Sequence, residues 1–146
     1  MNDQGPGTDS AKIATTARVI HAAISGGVVI VFAVFLYLRN QSSLPLASEA
    51  GQTLRIVGYL LLAGGVLASG MLRGRVVPRR RGADLDEWWI KNLPRAVIVW
   101  AVAEGGGLAA MVMGWLTGDT TLLALGAALP LALLFTSRPS RLSSET

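Results

Sequence analysis

Apolar residues gather into four long runs along the chain, and polar segments separate them. Three runs cover residues 19–38, 54–72 and 96–116, and a shorter fourth run covers residues 120–135. About twenty helical residues, at about 1.5 Å each, cross the roughly 30 Å hydrocarbon core of a bilayer. The pattern therefore predicts an all-α fold, a four-helix transmembrane bundle that forms one domain over residues 17–137.

The polar segments at the two ends and between the first two runs predict tails and a connector. Residues 1–16 contain glycine and proline, and we expect them to lack fixed structure. The apolar run behind them is too long for a cleaved secretory signal, which favours a retained first span. Residues 40–53 form the connector, and residues 138–146 form a Ser-rich tail. Pro130 lies in the short fourth run, which can span if neighbouring helices thin the bilayer locally.

The first and third runs resemble one another. A gap-free alignment places Val19 on Val97, Gly27 on Gly105 and Leu38 on Leu116. This match favours two related helical hairpins, each made of two consecutive spans.

Residues 84–93, DLDEWWIKNL, predict a short helix between the second and third spans. Asp84 can cap this helix, because its carboxylate accepts hydrogen bonds from free backbone N–H groups. Trp88 and Trp89 share a face with leucine, and tryptophan favours the boundary between membrane and water. We therefore expect a helix that lies on the membrane surface. The alternative is an extension of the third helix, kinked at Pro94.

The composition supports a membrane protein and argues against a metal centre. The chain has 146 residues, of which 51% are hydrophobic and 15% charged, and its mean hydropathy is +0.49. These values are too apolar for an ordinary soluble domain of this size. Cysteine is absent and histidine occurs once, so we expect neither a metal site nor a cofactor.

The distribution of Lys and Arg predicts an orientation. Eleven of the 13 basic residues lie in the two tails, at Arg18 directly before the first run, or in the middle loop of residues 73–95, and only Arg39 and Arg55 lie elsewhere. Basic residues favour the cytoplasmic side, so both termini and this loop are expected there. A pI near 10.3 can indicate nucleic-acid binding. Here the basic residues border apolar spans, which indicates membrane lipids as partners and no nucleic acid. The most basic stretch orients the chain and attracts anionic lipids; it comprises Arg79, Arg80 and Arg81.

Small residues recur at four-residue spacing, which predicts where the helices pack. Helices in lipid associate through close backbone contact at such rows. The residues expected to pack are Gly26, Gly27, Gly64, Ala68, Gly105 and Ala109. The third run carries a second row beside the first, at Gly106, Ala110 and Gly114. One neighbour cannot use both rows, so packing within the chain leaves room for a partner protein or another copy.

Glu104 is the only acidic residue within the apolar runs. A charged carboxylate in hydrocarbon costs upward of about 2.5 kcal/mol, so we expect the neutral acid. Counting residues inward from the helix ends places Glu104 level with Ser25 and Gly27, and no Lys or Arg shares that depth. The pattern predicts a hydrogen bond to Ser25, to Ser69 or to a backbone carbonyl beside the glycines, and no salt bridge.

Three roles of Glu104 follow from this placement. It is a polar clamp between helices, a group that binds and releases a proton or a small cation, or part of a site that another subunit completes. His21 lies four residues from Ser25, but a Ser–His hydrolase needs nucleophile and base on different elements and an oxyanion site. We therefore expect no enzyme activity, and a location for His21 near the cytoplasmic boundary of the membrane.

Several segments together resemble a group of small four-helix bacterial inner-membrane proteins without an assigned function. They are RVIHAAISGG in the first span, Arg95 with AVAEGG nine residues on, Leu116-Thr117-Gly118, and Arg138-Pro139. The resemblance implies four spans, the bacterial inner membrane and a recurring Glu104-Gly105 pair. The third span also resembles the carboxylate-bearing helix of rotary ATPase proteolipids, in which an acidic residue beside small residues carries the ion.

From these observations we expect an integral membrane protein that serves as a structural or accessory partner in a membrane assembly. Its partners would be lipids, and other membrane proteins or a second copy of itself. The alternative is a small protein that translocates protons or cations by means of Glu104.

Overall fold

A computed structural model describes residues 7–41 and 48–144, and the side chains of residues 13–41 and 50–144. All the secondary-structure elements in these ranges are helices, and the ranges contain no β-strand. This confirms the all-α prediction. The elements are α1 (Gly7–Gln41), α2 (Ser48–Arg73), α3 (Leu85–Thr117), α4 (Thr120–Thr136) and a single turn, α5 (Pro139–Leu142).

Helix α1 starts earlier than the apolar run does. The segment expected to lack structure is helical from Gly7 onward, and residues 1–6 lie outside the described residues. The extension has a reason in packing, because Ala17 is fully buried and Ile13 and Ala14 pack against the core. Apolar contacts inside the protein therefore prolong the helix beyond the predicted span.

Three of the helices are long and apolar enough to cross a membrane, over Ile13–Gln41, Ala50–Arg73 and Leu85–Thr117. Helix α4 is also apolar, but its 17 residues make it shorter. Large apolar side chains are exposed along the outer surface of α1 and α2, among them Val19, Ile30, Tyr37, Leu60, Leu67 and Met71. An exposed apolar surface of this extent needs an apolar environment or a partner.

Helix α3 is the centre of the bundle. The most extensive contacts between helices are those of α3 with α2, α4 and α1. Helix α2 packs chiefly on α3 and hardly on α1, so the predicted first hairpin of two mutually packed spans is not formed. The reason lies in the small residues: Gly65 of α2 fits directly against Gly106 of α3.

The predicted separate helix on the membrane surface is wrong, and the alternative of an extended third helix is confirmed. Helix α3 runs from Leu85 to Thr117 with Pro94 inside it. Proline removes one backbone hydrogen bond, the one to the carbonyl of Ile90, and the helix continues past it. Trp88 and Trp89 are only 7% and 2% exposed, so the protein itself covers them.

Both ends of α3 are capped, and the cap at Asp84 is the one that the sequence predicts. The Asp84 carboxylate accepts hydrogen bonds from the N–H groups of Asp86 and Glu87, both at 2.9 Å. These two bonds, the one from Glu87 first, hold the pKa of the Asp84 carboxyl below its usual value. At the other end, Gly118 has φ 68°, a left-handed conformation that glycine adopts without strain.

The side chain of Asp119, in the turn between α3 and α4, forms an ion pair with α2. Its carboxylate accepts a hydrogen bond from the N–H of Leu122 at 3.0 Å and so caps α4. The same carboxylate lies 3.1 Å from Nε of Arg55, near the start of α2. The beginning of α2 therefore lies beside the end of α3, and the two helices are antiparallel.

Candidate functional site

The carboxylate of Glu104 lies in the contact between α3 and α1. A Cβ atom built on Gly27 would lie 3.2 Å from its Oε1 atom, so the glycine makes room for the acid. Glu104 is thus level with Gly27, at the depth that residue counting predicts. The residue is only partly buried, at the edge of the helix contact.

The predicted hydrogen bonds of Glu104 to the two serines are not formed. Ser69 Oγ donates to the backbone carbonyl of Val99 at 3.2 Å instead. Ser25 Oγ is buried and has no hydrogen-bond partner in the described part of the chain. Ser25 is two residues from Gly27, about 200° around α1, and so lies away from Glu104. Among residues 13–41 and 50–144, whose side chains the structure describes, Glu104 makes no hydrogen bond and no ion pair.

His21 serves a different part of the bundle. Its Nε2 atom is 3.0 Å from the carbonyl oxygen of Leu134, and its ring packs edge-on against Trp100 at 5.0 Å. Trp100 is fully buried and donates its indole N–H to the carbonyl oxygen of Ser137 at 2.9 Å. The last carbonyl groups of a helix lack hydrogen-bond partners within that helix. At the end of α4, the rings of His21 and Trp100 provide such partners.

The roles of Trp100 and Ser137 were not predicted from the sequence. A signal was present, because an indole N–H inside an apolar run needs an acceptor. Finding which carbonyl accepts requires knowledge of how the end of α4 packs on α3. The Trp100 contact is therefore a property of the tertiary structure rather than of any local motif.

The second small row of α3 is used inside the protein. A Cβ atom on Gly65 would lie 2.9 Å from the Cα atom of Gly106, so α2 and α3 touch backbone to backbone. On the other side, Gly107 lies against Pro130 and the carbonyl of Gly126 in α4. Of the two neighbouring glycines in α2, Gly65 makes the closest contact, whereas Gly64 is exposed.

The first row of small residues in α3, Ala101, Gly105 and Ala109, is not covered by another helix of the described chain. We call Ile98, Ala101, Gly105 and Ala109 the open face of α3. Ile98 is 52% exposed, Ala101 and Gly105 are exposed as well, and Ala109 is half-buried. A Cβ atom on Gly105 would meet no atom within 4 Å. Helices α1, α2 and α4 occupy the other sides, so this face has no neighbour within the described residues.

A shallow groove continues the open face toward α2. It has a volume of about 360 Å³ and is floored by Gly64, Gly65 and Ala68 on one side and by Gly105, Gly106 and Ala109 on the other. Of the two glycines in the first span, only Gly27 lies in a close contact, since a Cβ atom on Gly26 would meet nothing within 4 Å. Most residues predicted to pack therefore line an unfilled surface.

The three consecutive arginines do not share one environment. Arg79 is half-buried, whereas Arg80 and Arg81 are exposed. They lie in the loop between α2 and α3 together with Arg75, and Arg73 is the last residue of α2. This loop and the start of α3 form a separate basic region, at the far end of the protein from the turn at Gly118.

The titratable group of the site is the carboxyl of Glu104. In the part of the chain that the structure describes, no three acidic or histidine side chains come together in a way that could hold a metal ion. No family model matches the chain, and no curated protein or solved structure is significantly similar to it. The resemblance to small inner-membrane proteins thus stays a prediction, and function must be argued from geometry.

Proposed function

We propose that this chain is an integral membrane protein in which α1, α2, α3 and α4 all cross the membrane. Three long apolar helices and the apolar outer surface of α1 and α2 support this proposal. The short α4 crosses where the bilayer thins around it. The basic tails and the basic loop lie in the cytoplasm, and the membrane is the bacterial inner membrane.

In this membrane the protein acts as a structural partner that receives a transmembrane helix of another chain. The observation that carries the proposal is the combination of the open face of α3 with Glu104, which has no hydrogen-bond partner among the described residues. Helices in lipid gain little from burying apolar surface, and small residues that allow close approach drive their association. The open face offers such a row at Ala101, Gly105 and Ala109.

The unpartnered acid supplies the polar part of the same contact. A neutral carboxyl in hydrocarbon both donates and accepts hydrogen bonds, and leaving it unpaired is costly. The incoming helix would carry small residues along its contact and a polar side chain or a free carbonyl at the depth of Glu104. Such a helix would cover the open face and at the same time form a hydrogen bond with the carboxyl of Glu104.

A second function, translocation of a proton or a small cation, is favoured by the same carboxyl. A group with no partner inside its own chain can bind and release a proton without breaking a structural contact. Glu104 is also only partly buried, so the side chains of this protein do not fully enclose its carboxyl. The two functions differ in what a glutamine at this position retains.

Replacement of Glu104 separates the two functions. Glu104→Gln keeps hydrogen bonding but cannot titrate, whereas Glu104→Ala removes both properties. For the structural function we expect Gln to retain assembly and Ala to weaken it by about 0.6–2 kcal/mol, or about three- to thirtyfold in association constant. Neither variant should alter the melting of the isolated chain by much, because Glu104 makes no internal hydrogen bond among the described residues.

The measurement is made on protein reconstituted into liposomes, with assembly and proton flux recorded for both variants. Lost flux in Glu104→Gln with assembly intact would establish translocation through this carboxyl, because glutamine keeps the hydrogen bonding and lacks only the titrating proton. Flux that is equal in wild type and Glu104→Gln would exclude translocation through this carboxyl. Equal assembly of wild type and Glu104→Ala would contradict the proposed role of Glu104 in the helix contact.

A further inference from the structure

The basic region between α2 and α3 contains a cavity of about 570 Å³. Its walls come from the loop that follows α2 and from the first turns of α3. Arg80, Lys91 and Arg95 supply the basic side chains, Asp84 and Glu87 the acidic ones, and Trp88 an aromatic wall. We call this cavity the basic pocket.

The loop side of the basic pocket is held in place by α3. The backbone N–H of Val77 donates to Oδ1 of Asn92 at 3.1 Å, and the backbone carbonyl of Val77 accepts from the indole N–H of Trp88 at 2.8 Å. Asn92 is buried and also donates to the carbonyl of Trp88 at 3.0 Å. Both polar groups of one loop residue are therefore fixed to the helix, three residues before Arg80.

The two acidic groups in the pocket are already engaged. The Asp84 carboxylate caps α3 through two backbone N–H groups. Glu87 pairs with Lys91, whose Nζ lies 2.6 Å from its Oε1 atom. The Asp84 carboxylate is thus occupied by backbone N–H groups, and the charge of Glu87 is paired with that of Lys91. What remains for a ligand is the guanidinium groups of Arg80 and Arg95.

Neither of these two guanidinium groups has a hydrogen bond or an ion pair within the described part of the chain. Guanidinium is planar and presents paired N–H donors that match the oxygens of a phosphate. The guanidinium groups of Arg80 and Arg95 both line the basic pocket and have no partners within the described residues, so they are available to bind an anion. The apolar walls next to them, Val77, Pro78 and Trp88, suit an ester that carries a phosphate rather than a bare surface ion.

We infer that the basic pocket binds a phosphate group through Arg80 and Arg95. Arg95 directly precedes the predicted third span, so the pocket lies where phospholipid head groups begin. The phosphate can belong to an anionic phospholipid or to a free phosphate from the cytoplasm. In both cases the two arginines bind its oxygens, and the chain around Trp88 contacts the rest of the ligand.

The inference is tested by binding to the purified full-length protein in detergent, with three ligands titrated separately. They are phosphatidylglycerol, phosphatidylcholine and inorganic phosphate, and the shift in melting temperature reports binding. Arg80→Gln and Arg95→Gln should each weaken binding of the phosphate ligand about tenfold or more, because each removes charge-assisted hydrogen bonds. The matched control is Arg81→Gln, which removes the same charge beside the pocket.

Arg81→Gln should weaken binding by less than about fivefold, the size of a diffuse surface attraction. Equal losses in Arg80→Gln and Arg81→Gln would overturn the inference in favour of diffuse charge, and so would unchanged binding in Arg95→Gln. A response to phosphatidylglycerol alone, lost in the two pocket variants, identifies a lipid head group. The same loss with inorganic phosphate identifies a free phosphate. Melting without ligand should be unchanged, since neither arginine has an internal partner among the described residues.

Discussion

Gly107→Ala is expected to destabilise the protein by about 1–3 kcal/mol or more. The added Cβ atom would overlap the ring of Pro130 and lie 2.5 Å from the carbonyl oxygen of Gly126. That carbonyl projects toward α3 without a helical partner, because Pro130 has no N–H to bind it. Both contacts are with rigid groups, so α3 and α4 would have to move apart, and overpacking of this kind costs about 1–3 kcal/mol or more.

Gly105→Ala is the matched control, two residues away on the same helix. Its Cβ atom would meet nothing within 4 Å, and alanine favours a helix over glycine by up to about 1 kcal/mol. Thermal unfolding in detergent, followed by circular dichroism at a helical wavelength, compares the two variants. Equal melting of Gly107→Ala and Gly105→Ala would contradict the close contact of α3 with α4.

Trp100→Ala is expected to destabilise the protein by about 3–5 kcal/mol. Trp100 is fully buried, and its ring fills the space between His21 and the end of α4. Its removal leaves a cavity and also leaves the carbonyl of Ser137 without its donor. Helices α1, at His21, and α3 meet the end of α4 at this ring, so its loss should loosen all three.

Trp100→Phe divides this effect into its two parts. Phenylalanine keeps most of the ring and removes the N–H group, so the loss should be about 1–3 kcal/mol, the cost of an unsatisfied buried acceptor. The same unfolding measurement serves for both variants. A Trp100→Phe variant as unstable as Trp100→Ala would show that the hydrogen bond outweighs the packing, and an unaffected Trp100→Ala would contradict the burial of this residue.

The helical class, the long apolar helices and the cap at Asp84 could be predicted from the sequence because each depends on local chemistry. A long apolar run favours a helix along its own length, and the carboxylate of Asp84 caps backbone N–H groups only two and three residues away. The long α3 was predicted only as the alternative, because tryptophan pairs favour a membrane surface in general. Here tertiary contacts cover Trp88 and Trp89, and the helix passes through Pro94.

The surroundings of Glu104 could be predicted only in part. Its depth follows from counting residues along straight helices, and Gly27 lies where that count places it. Its hydrogen bonds depend on how each helix is rotated about its own axis, which no count along the sequence provides. Ser25 lies on another side of α1, and Ser69 is taken by the carbonyl of Val99.

The central claim is that the open face of α3 receives a helix of another chain, and Gly105→Leu tests it most directly. Gly70→Leu in α2 is the control, since a Cβ atom there also meets nothing and Gly70 is exposed. The mass of the native complex is measured after mild solubilisation of the membranes. We expect wild type and Gly70→Leu to remain in a complex and Gly105→Leu to be largely released as a single chain. A complex that survives in Gly105→Leu, or a wild type that is a single chain, would contradict the claim.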